Sequence, residues 1–428
     1  MILSLVAANF TTVAMATGPS ELRNISIEEV AKATPRVASA DCASSKLHSD
    51  RRYYCPELDV LRFFAFVSVF FFHGLPGVEI ANHSGWSRLA AWGFRSFKEA
   101  GSFGVCLFFL LSSFLITQLL MRERLSTGTV HVKAFYIRRI LRIWPLYFVF
   151  LLLGYLFGFV VPEWRVQASR LTAFLVLLGN WYVAAFGMAP NPIAPLWSIS
   201  IEEQFYLTWP WLAKAGGRRG VLVSSALLLP VSCLAIYFIS RSGRGASQAI
   251  WFSSIVQFEF FALGALMALL LKDRVPRWSN GLRLCFLIVG AVLWIAAEGF
   301  FHLRESVLDS GPLSYLIGYQ LVGLGCVLLL IGFLGMRPEW VPRQLVYLGK
   351  ISYGLYVFHY LCLDVVSMAF GRFFSPAHGI LAVAIQSLSG MSLALLLTTM
   401  LATFSYRYLE QPFLRLKERF TFIQSRGV

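Results

Sequence analysis

Long apolar blocks, separated by short basic segments, dominate this chain: Leu58–Pro76, Gly101–Met121, Ile143–Val161, Val221–Ser240, Ala249–Leu271, Leu282–Gly299, Pro312–Gly335, Leu345–Phe370 and Gly379–Tyr406. Each is long enough to cross a bilayer as a helix, which takes about 20 residues. Two further apolar stretches, Leu171–Met188 and Leu196–Leu212, are separated by Pro190, Pro192 and Pro195. The pattern predicts an all-α fold, a polytopic membrane helix bundle filling residues 57–417.

The basic segments set the expected topology. They fall at Arg51 and Arg52, Arg122 to Arg142, Lys214 to Arg219, Lys272 to Arg277, and Arg407 to Arg419. Under the positive-inside rule these lie on the cytoplasmic side. Two full crossings between Pro162 and Lys214 would put that cluster outside, so one of the two stretches there is expected to be a short re-entrant or interfacial piece. About ten transmembrane helices result, with both ends cytoplasmic. Residues 1–56 are expected to be a flexible cytoplasmic extension. Ala14-Met15-Ala16 resembles a cleavage site, but no positive region precedes it. Residues 418–428 are expected to be a cytoplasmic tail.

Composition agrees. Of the 428 residues 57% are hydrophobic and 14% charged, and the mean hydropathy is +0.66. The net charge of +15 comes from 37 basic and 22 acidic residues. Topology accounts for it, and no nucleic acid is needed. The seven cysteines stand singly, with neither a disulfide framework nor zinc-ligand spacing. No metal site is expected. The absence of a phosphate-binding glycine loop argues against an ATP-driven pump.

Ionisable residues inside the apolar blocks mark the candidate chemistry, because such groups usually face a bundle interior or a watery cavity. Arg62 and His73 lie eleven residues apart in the first block. They share a helix face, separated along the axis by roughly 16 Å. Asp59 can pair with Arg62 at i, i+3. The plain alternative makes Arg62 a snorkelling boundary residue and His73 a cap near Gly74. Arg138, Arg139 and Arg142 straddle the entry to the third span, with Arg139 and Arg142 on one face. They suit a phosphate, or equally lipid headgroups and topology. Glu202 and Glu203 stand in an apolar run, where one could orient a histidine as the acid of a triad does. His359 and Tyr356 lie in a late span, Trp197 opens the Glu202 segment, and Arg407 and Glu410 can pair where the last span ends.

Taken in order, ELDVLRFFAF…FFHG, FGVCLFFLLSSFLIT, FYIRRILRIWPLYF, PLWSISIEEQFYLTWP, ISYGLYVFHY and YRYLEQPF resemble the acyltransferase 3 family of bacterial membrane O-acyltransferases, from Glu57 to Lys417. The resemblance implies transfer of an acyl group, usually acetyl, from cytoplasmic acyl-CoA to a hydroxyl of a surface polysaccharide or lipid-linked glycan. It implies no bound cofactor, acyl-CoA (acetyl-CoA) being a substrate, and a place in the bacterial inner membrane. The family's arginine–ten residues–histidine motif falls on Arg62 and His73, its Arg-x-x-Arg motif on Arg139 and Arg142, and its acidic motif on Glu202 and Glu203. The expected catalytic set is then His73, Glu202, Glu203, Arg62 and Asp59. Arg138, Arg139 and Arg142 would bind the donor, and His359, Tyr356 and Trp197 the acceptor. Val60 and Ser113 stand where the family usually has glycine, which bears on helix packing. Rival readings are acylation of a small molecule such as a macrolide, and a transporter or flippase.

Overall fold

The computed structural model describes residues 54–76, 87–243, 245–272, 274–276, 278–304, 311–373 and 380–422. The expected N-terminal extension and most of the expected tail lie outside these. Among the described residues there are helices and no strand.

Helix α1 (Pro56–Gly74) starts as an isolated sequence should. Pro56 occupies the first turn, where its missing N–H costs nothing, and Glu57 and Asp59 face the positive end of the helix dipole. The surface helix α2 (Arg88–Ala100) leads into α3 (Gly104–Thr127) and α4 (Val132–Phe157). The apolar stretch 171–188 does not form one span. It is divided into α5 (Ala168–Leu175) and α6 (Gly179–Phe186), each eight residues long and too short to cross a bilayer.

Helix α7 (Trp197–Ser240) is 44 residues long and breaks at Gly217, whose φ of 54° and ψ of −141° leave the helical region. Glycine tolerates that backbone because it has no Cβ. Arg124 stabilises the break, donating from Nη1 to the carbonyls of Ala213 and Lys214 at 3.0 and 2.5 Å. The basic segment Lys214–Arg219 is therefore the turn between two apolar arms.

The remainder comprises α8 (Ala246–Phe252), α9 (Ser254–Leu271), α10 (Asn280–Phe301), α11 (Pro312–Phe333), α12 (Arg343–Lys350), α13 (Ser352–Phe373) and α14 (Ile380–Ser405). A π-helical turn at Tyr406–Glu410 then leads into α15 (Gln411–Glu418). The block Leu345–Phe370 is thus two elements, with the span starting only at Ser352. Among the described residues eight helices are long and apolar enough to cross a membrane. The expected ten are reached with α1, whose Glu57, Asp59 and Arg62 keep it out of that set, and by taking the two arms of α7 separately.

Helix α9 is the packing centre, against α3 and α7, while α1 lies between α3 and α13. Phe205 stacks between Trp209 and Phe261, with ring centroids 4.5 and 4.3 Å apart. Without water to drive association, membrane helices pack through small residues and interhelical hydrogen bonds. Ser113 of α3 does both. Its hydroxyl, fully buried, donates to the Phe261 carbonyl at 2.6 Å, directly against Gly264, where a Cβ would overlap Ser113 Oγ and the Leu110 carbonyl. Ser113, where the resemblance leads one to expect glycine, is accommodated by a glycine on the facing helix.

Gly264→Val is accordingly expected to force α3 and α9 apart, destabilising the fold by about 1–3 kcal/mol. A fall of several degrees in the detergent-solubilised melting temperature checks this. An unchanged melting temperature would contradict the packing argument.

Candidate functional site

Among the described residues, two cavities gather the candidate side chains. The first is lined by Arg62, Arg139, Arg142, Ser112, Glu202 and Tyr206, with Tyr353 and Tyr356 from α13. The second is lined by His73, Phe72, Trp197, Trp251, Arg304 and Tyr360, among others. Val105 and Tyr356 line both. The three helical turns from Arg62 to His73 therefore put the arginine in one chamber and the histidine in the other.

In the arginine cavity, Asp59 is buried and holds Arg62 Nη1 at 3.0 Å, while Tyr54 donates to its other oxygen at 2.8 Å. Arg139 lies over the rings of Phe135 and Tyr206, at 5.7 and 5.6 Å, and its buried Nε has no hydrogen-bond partner. A stacked guanidinium keeps its edge donors for a ligand. Arg138, one residue away, is turned elsewhere. It donates to Glu123 and to the Phe420 carbonyl, both at 2.8 Å, and lines neither cavity. The structure thus separates Arg138 from the donor-binding set expected for it.

The acidic pair diverges as adjacent helical residues must. Glu202 lines the arginine cavity and accepts from Tyr206. Glu203 accepts from Trp144 Nε1 at 3.1 Å. Neither is among the hydrogen-bond partners of His73, so the expected carboxylate–histidine arrangement is not formed.

His359 occupies that position instead. Its Nε2 lies 3.2 Å from His73 Nδ1, and its Nδ1 lies 2.5 Å from the Tyr356 carbonyl. Carbonyl oxygens only accept, which fixes the tautomers. His359 carries its proton on Nδ1 and presents a lone pair on Nε2. His73 Nδ1, also 3.1 Å from the Val69 carbonyl, then donates toward both. The remaining nitrogen of His73, Nε2, is left with a lone pair in an exposed ring that lines the cavity.

The other acceptor-side residues are also present. Tyr356 shares a hydrogen bond of 2.8 Å with Ser198 and forms part of the wall between the chambers, and Trp197 lies edge-on to Phe252 at 4.7 Å. Arg407 does not pair with Glu410; it lies over Tyr408 at 5.8 Å, while Glu410 accepts from Ser405 at 3.3 Å. The π-helical turn between them changes the i, i+3 geometry. One site residue escaped the sequence reading. Arg304, just beyond α10, lies over Trp251 at 4.1 Å and lines the histidine cavity. No motif marks it.

Fold and site together define a multi-pass membrane protein with an arginine-lined and a histidine-lined chamber sharing one wall. A sequence profile of the acyltransferase domain matches residues 56–407, and the chain belongs to that family, acyltransferase 3. YrhL of Bacillus subtilis (strain 168) is 26% identical over 392 residues, covering 84% of this chain and 55% of its own. OatA of Staphylococcus aureus (strain NCTC 8325 / PS 47), named an O-acetyltransferase, is 25% identical over 398 residues, 86% of this chain and 58% of its own. OatA of Listeria monocytogenes serovar 1/2a, named a peptidoglycan O-acetyltransferase, is 23% identical over 384 residues, 84% and 56% respectively. The chain spans little more than half the length of these curated relatives. No solved structure matches it at a significant level.

The separation of Arg138 from its neighbours has a measurable consequence. Arg138→Gln leaves Glu123 buried with only His131 as a charged partner, and is expected to destabilise the protein by about 3 kcal/mol or more. Thermal melting should fall sharply while the affinity for CoA, measured at a temperature where the variant is folded, stays within twofold of wild type.

Proposed function

We propose that the protein is an O-acyltransferase that moves an acyl group, most simply acetyl, from cytoplasmic acyl-CoA to a hydroxyl of a surface polysaccharide or lipid-linked glycan. The observation that carries this reading is the pair of chambers meeting at Val105 and Tyr356. Anion-binding guanidinium groups stand in one and an imidazole with a free nitrogen in the other. The roughly 16 Å of α1 between Arg62 and His73 suits a donor whose phosphates and reactive carbon are joined by a long flexible arm, as they are in acyl-CoA.

Arg139 and Arg142 hold the CoA phosphates, with Arg62 steadied beside them by Asp59. The thioester carbonyl reaches past Tyr356 to His73. His73 Nε2 takes the proton of the acceptor hydroxyl as its oxygen attacks the carbonyl carbon. The carbon–sulfur bond breaks, and the proton passes from His73 to the departing CoA thiolate. His359 is a positioning residue. It holds the His73 ring through Nδ1 and, by accepting that N–H, eases the charge of the protonated ring. Glu202 keeps Tyr206 in place beneath Arg139, which gives the acidic motif a role on the donor side. The relatives named as O-acetyltransferases, one of them of peptidoglycan, support acetyl as the group and a cell-surface polysaccharide as the acceptor.

The test is ester-linked acetyl on surface glycans in cells lacking the protein, complemented with wild type or His73→Ala at matched membrane levels. Wild type should restore the ester, and the variant should give about 10²-fold less or lower. Full restoration by His73→Ala would remove the imidazole from the reaction. No ester change on deletion would turn the reading toward a small-molecule acceptor or a transporter.

In purified protein, Arg139→Gln should raise the KM for acetyl-CoA about tenfold or more, the loss of a charge-assisted contact, with kcat little changed. His359→Ala should do the reverse. It should lower kcat by about a hundredfold, as expected for a misplaced base, and leave the acetyl-CoA KM within threefold.

A further inference from the structure

Arg304 is a half-buried cation that the reaction above does not use. Its backbone N–H is anchored to the Glu298 carboxylate at 3.3 and 3.4 Å. Its guanidinium lies over the Trp251 indole at 4.1 Å and over the Phe72 ring at 5.6 Å. The buried Nε has no hydrogen-bond partner, and no carboxylate forms an ion pair with the guanidinium among the described residues. Glu99 and Glu298 lie within electrostatic reach, but Glu99 has Lys98 at 3.8 Å. A guanidinium whose Nε is buried with no acceptor is incompletely satisfied. Stacking occupies its faces and leaves the in-plane N–H groups for an oxyanion.

We propose that Arg304 binds an anionic group, a carboxylate or a phosphate, carried by the acceptor. The inference rests on the acyl-transfer reading and names the acceptor's chemical class. Arg304 and His73 line the same cavity. Phe72 stands between them, its ring 4.6 Å from that of His73. The guanidinium is therefore set back from the reacting imidazole by about a ring. That position suits a charge on the acceptor rather than the oxyanion forming at the transferred carbon. Trp197 and Trp251, whose rings are 5.9 Å apart, offer apolar faces to the sugar. An acceptor anchored by its anion at Arg304 turns a neighbouring hydroxyl toward His73 Nε2.

Equilibrium binding to the full-length protein in nanodiscs, without donor, tests this with three probes built on one disaccharide. One is neutral, one carries a uronate, and one is linked to a prenyl diphosphate. A prenyl-linked neutral disaccharide corrects for partition into lipid. Wild type is expected to bind at least one anionic probe tenfold or more tightly than its neutral counterpart. Arg304→Gln should abolish that preference and Arg304→Lys should keep part of it. Melting temperature and monodispersity of each variant show that it is folded. The uronate and diphosphate arms tell which anion is read. No anionic preference in wild type, or a preference that survives Arg304→Gln, overturns the proposal. Because binding is read without turnover, it fails or stands separately from the loss of ester in His73→Ala.

Discussion

The controlling constraint is that hydrocarbon offers no partner to a polar group, so every charge in the bundle must be satisfied by protein or face a cavity. The arginines divide cleanly on that basis. Arg283 is saturated by four carbonyls, those of Pro276, Gly332, Leu334 and Gly335, at 2.7–3.1 Å. Arg138 is held by Glu123 and a carbonyl, and Arg124 closes the broken end of an arm of α7. These side chains build the fold. Among the described residues, Arg139 and Arg304 are the arginines whose Nε is buried without a partner. Each stacks on aromatic rings and each lines a chamber. Stacking with an unpartnered Nε, rather than burial or charge alone, sets these two apart from the arginines that build the fold.

Much of this was legible along the chain wherever the relevant geometry is local. Helix periodicity puts Arg62 and His73 on one face of α1 and Arg139 with Arg142 on one face of α4, whereas the turning of Arg138 toward Glu123 is a contact that spacing does not encode. The same hundred-degree step that separates Glu202 from Glu203 sends them to different partners. The charge rule allowed one full crossing rather than two between Pro162 and Lys214, and the stretch 171–188 is indeed divided into two short helices. What was not legible is contact across the fold. His359 meets His73 from 286 residues away, and no spacing encodes that. A carboxylate partner was the natural expectation from Glu202 and Glu203. In the folded protein those residues are engaged by Tyr206 and Trp144, away from the imidazole. Arg304 stands alone in the sequence, without a repeat or pattern, and only the Trp251 ring beneath it reveals its setting.

In the proposed reaction the paired histidines let a base operate without a carboxylate behind it. A carboxylate against His73 would add a negative charge directly behind the imidazole. A neutral imidazole behind the base fixes the tautomer and accepts the Nδ1 proton while adding no negative charge. His359 is itself locked by the Tyr356 carbonyl, so the orientation of the base is tied to the backbone of the residue whose side chain divides the chambers. The Tyr356 hydroxyl in turn is held by Ser198 and the Pro195 carbonyl at 2.8 and 3.2 Å. The orientation of His73 and the side chain that divides the two chambers are therefore set by one short segment of α13, held through its backbone on one side and its hydroxyl on the other.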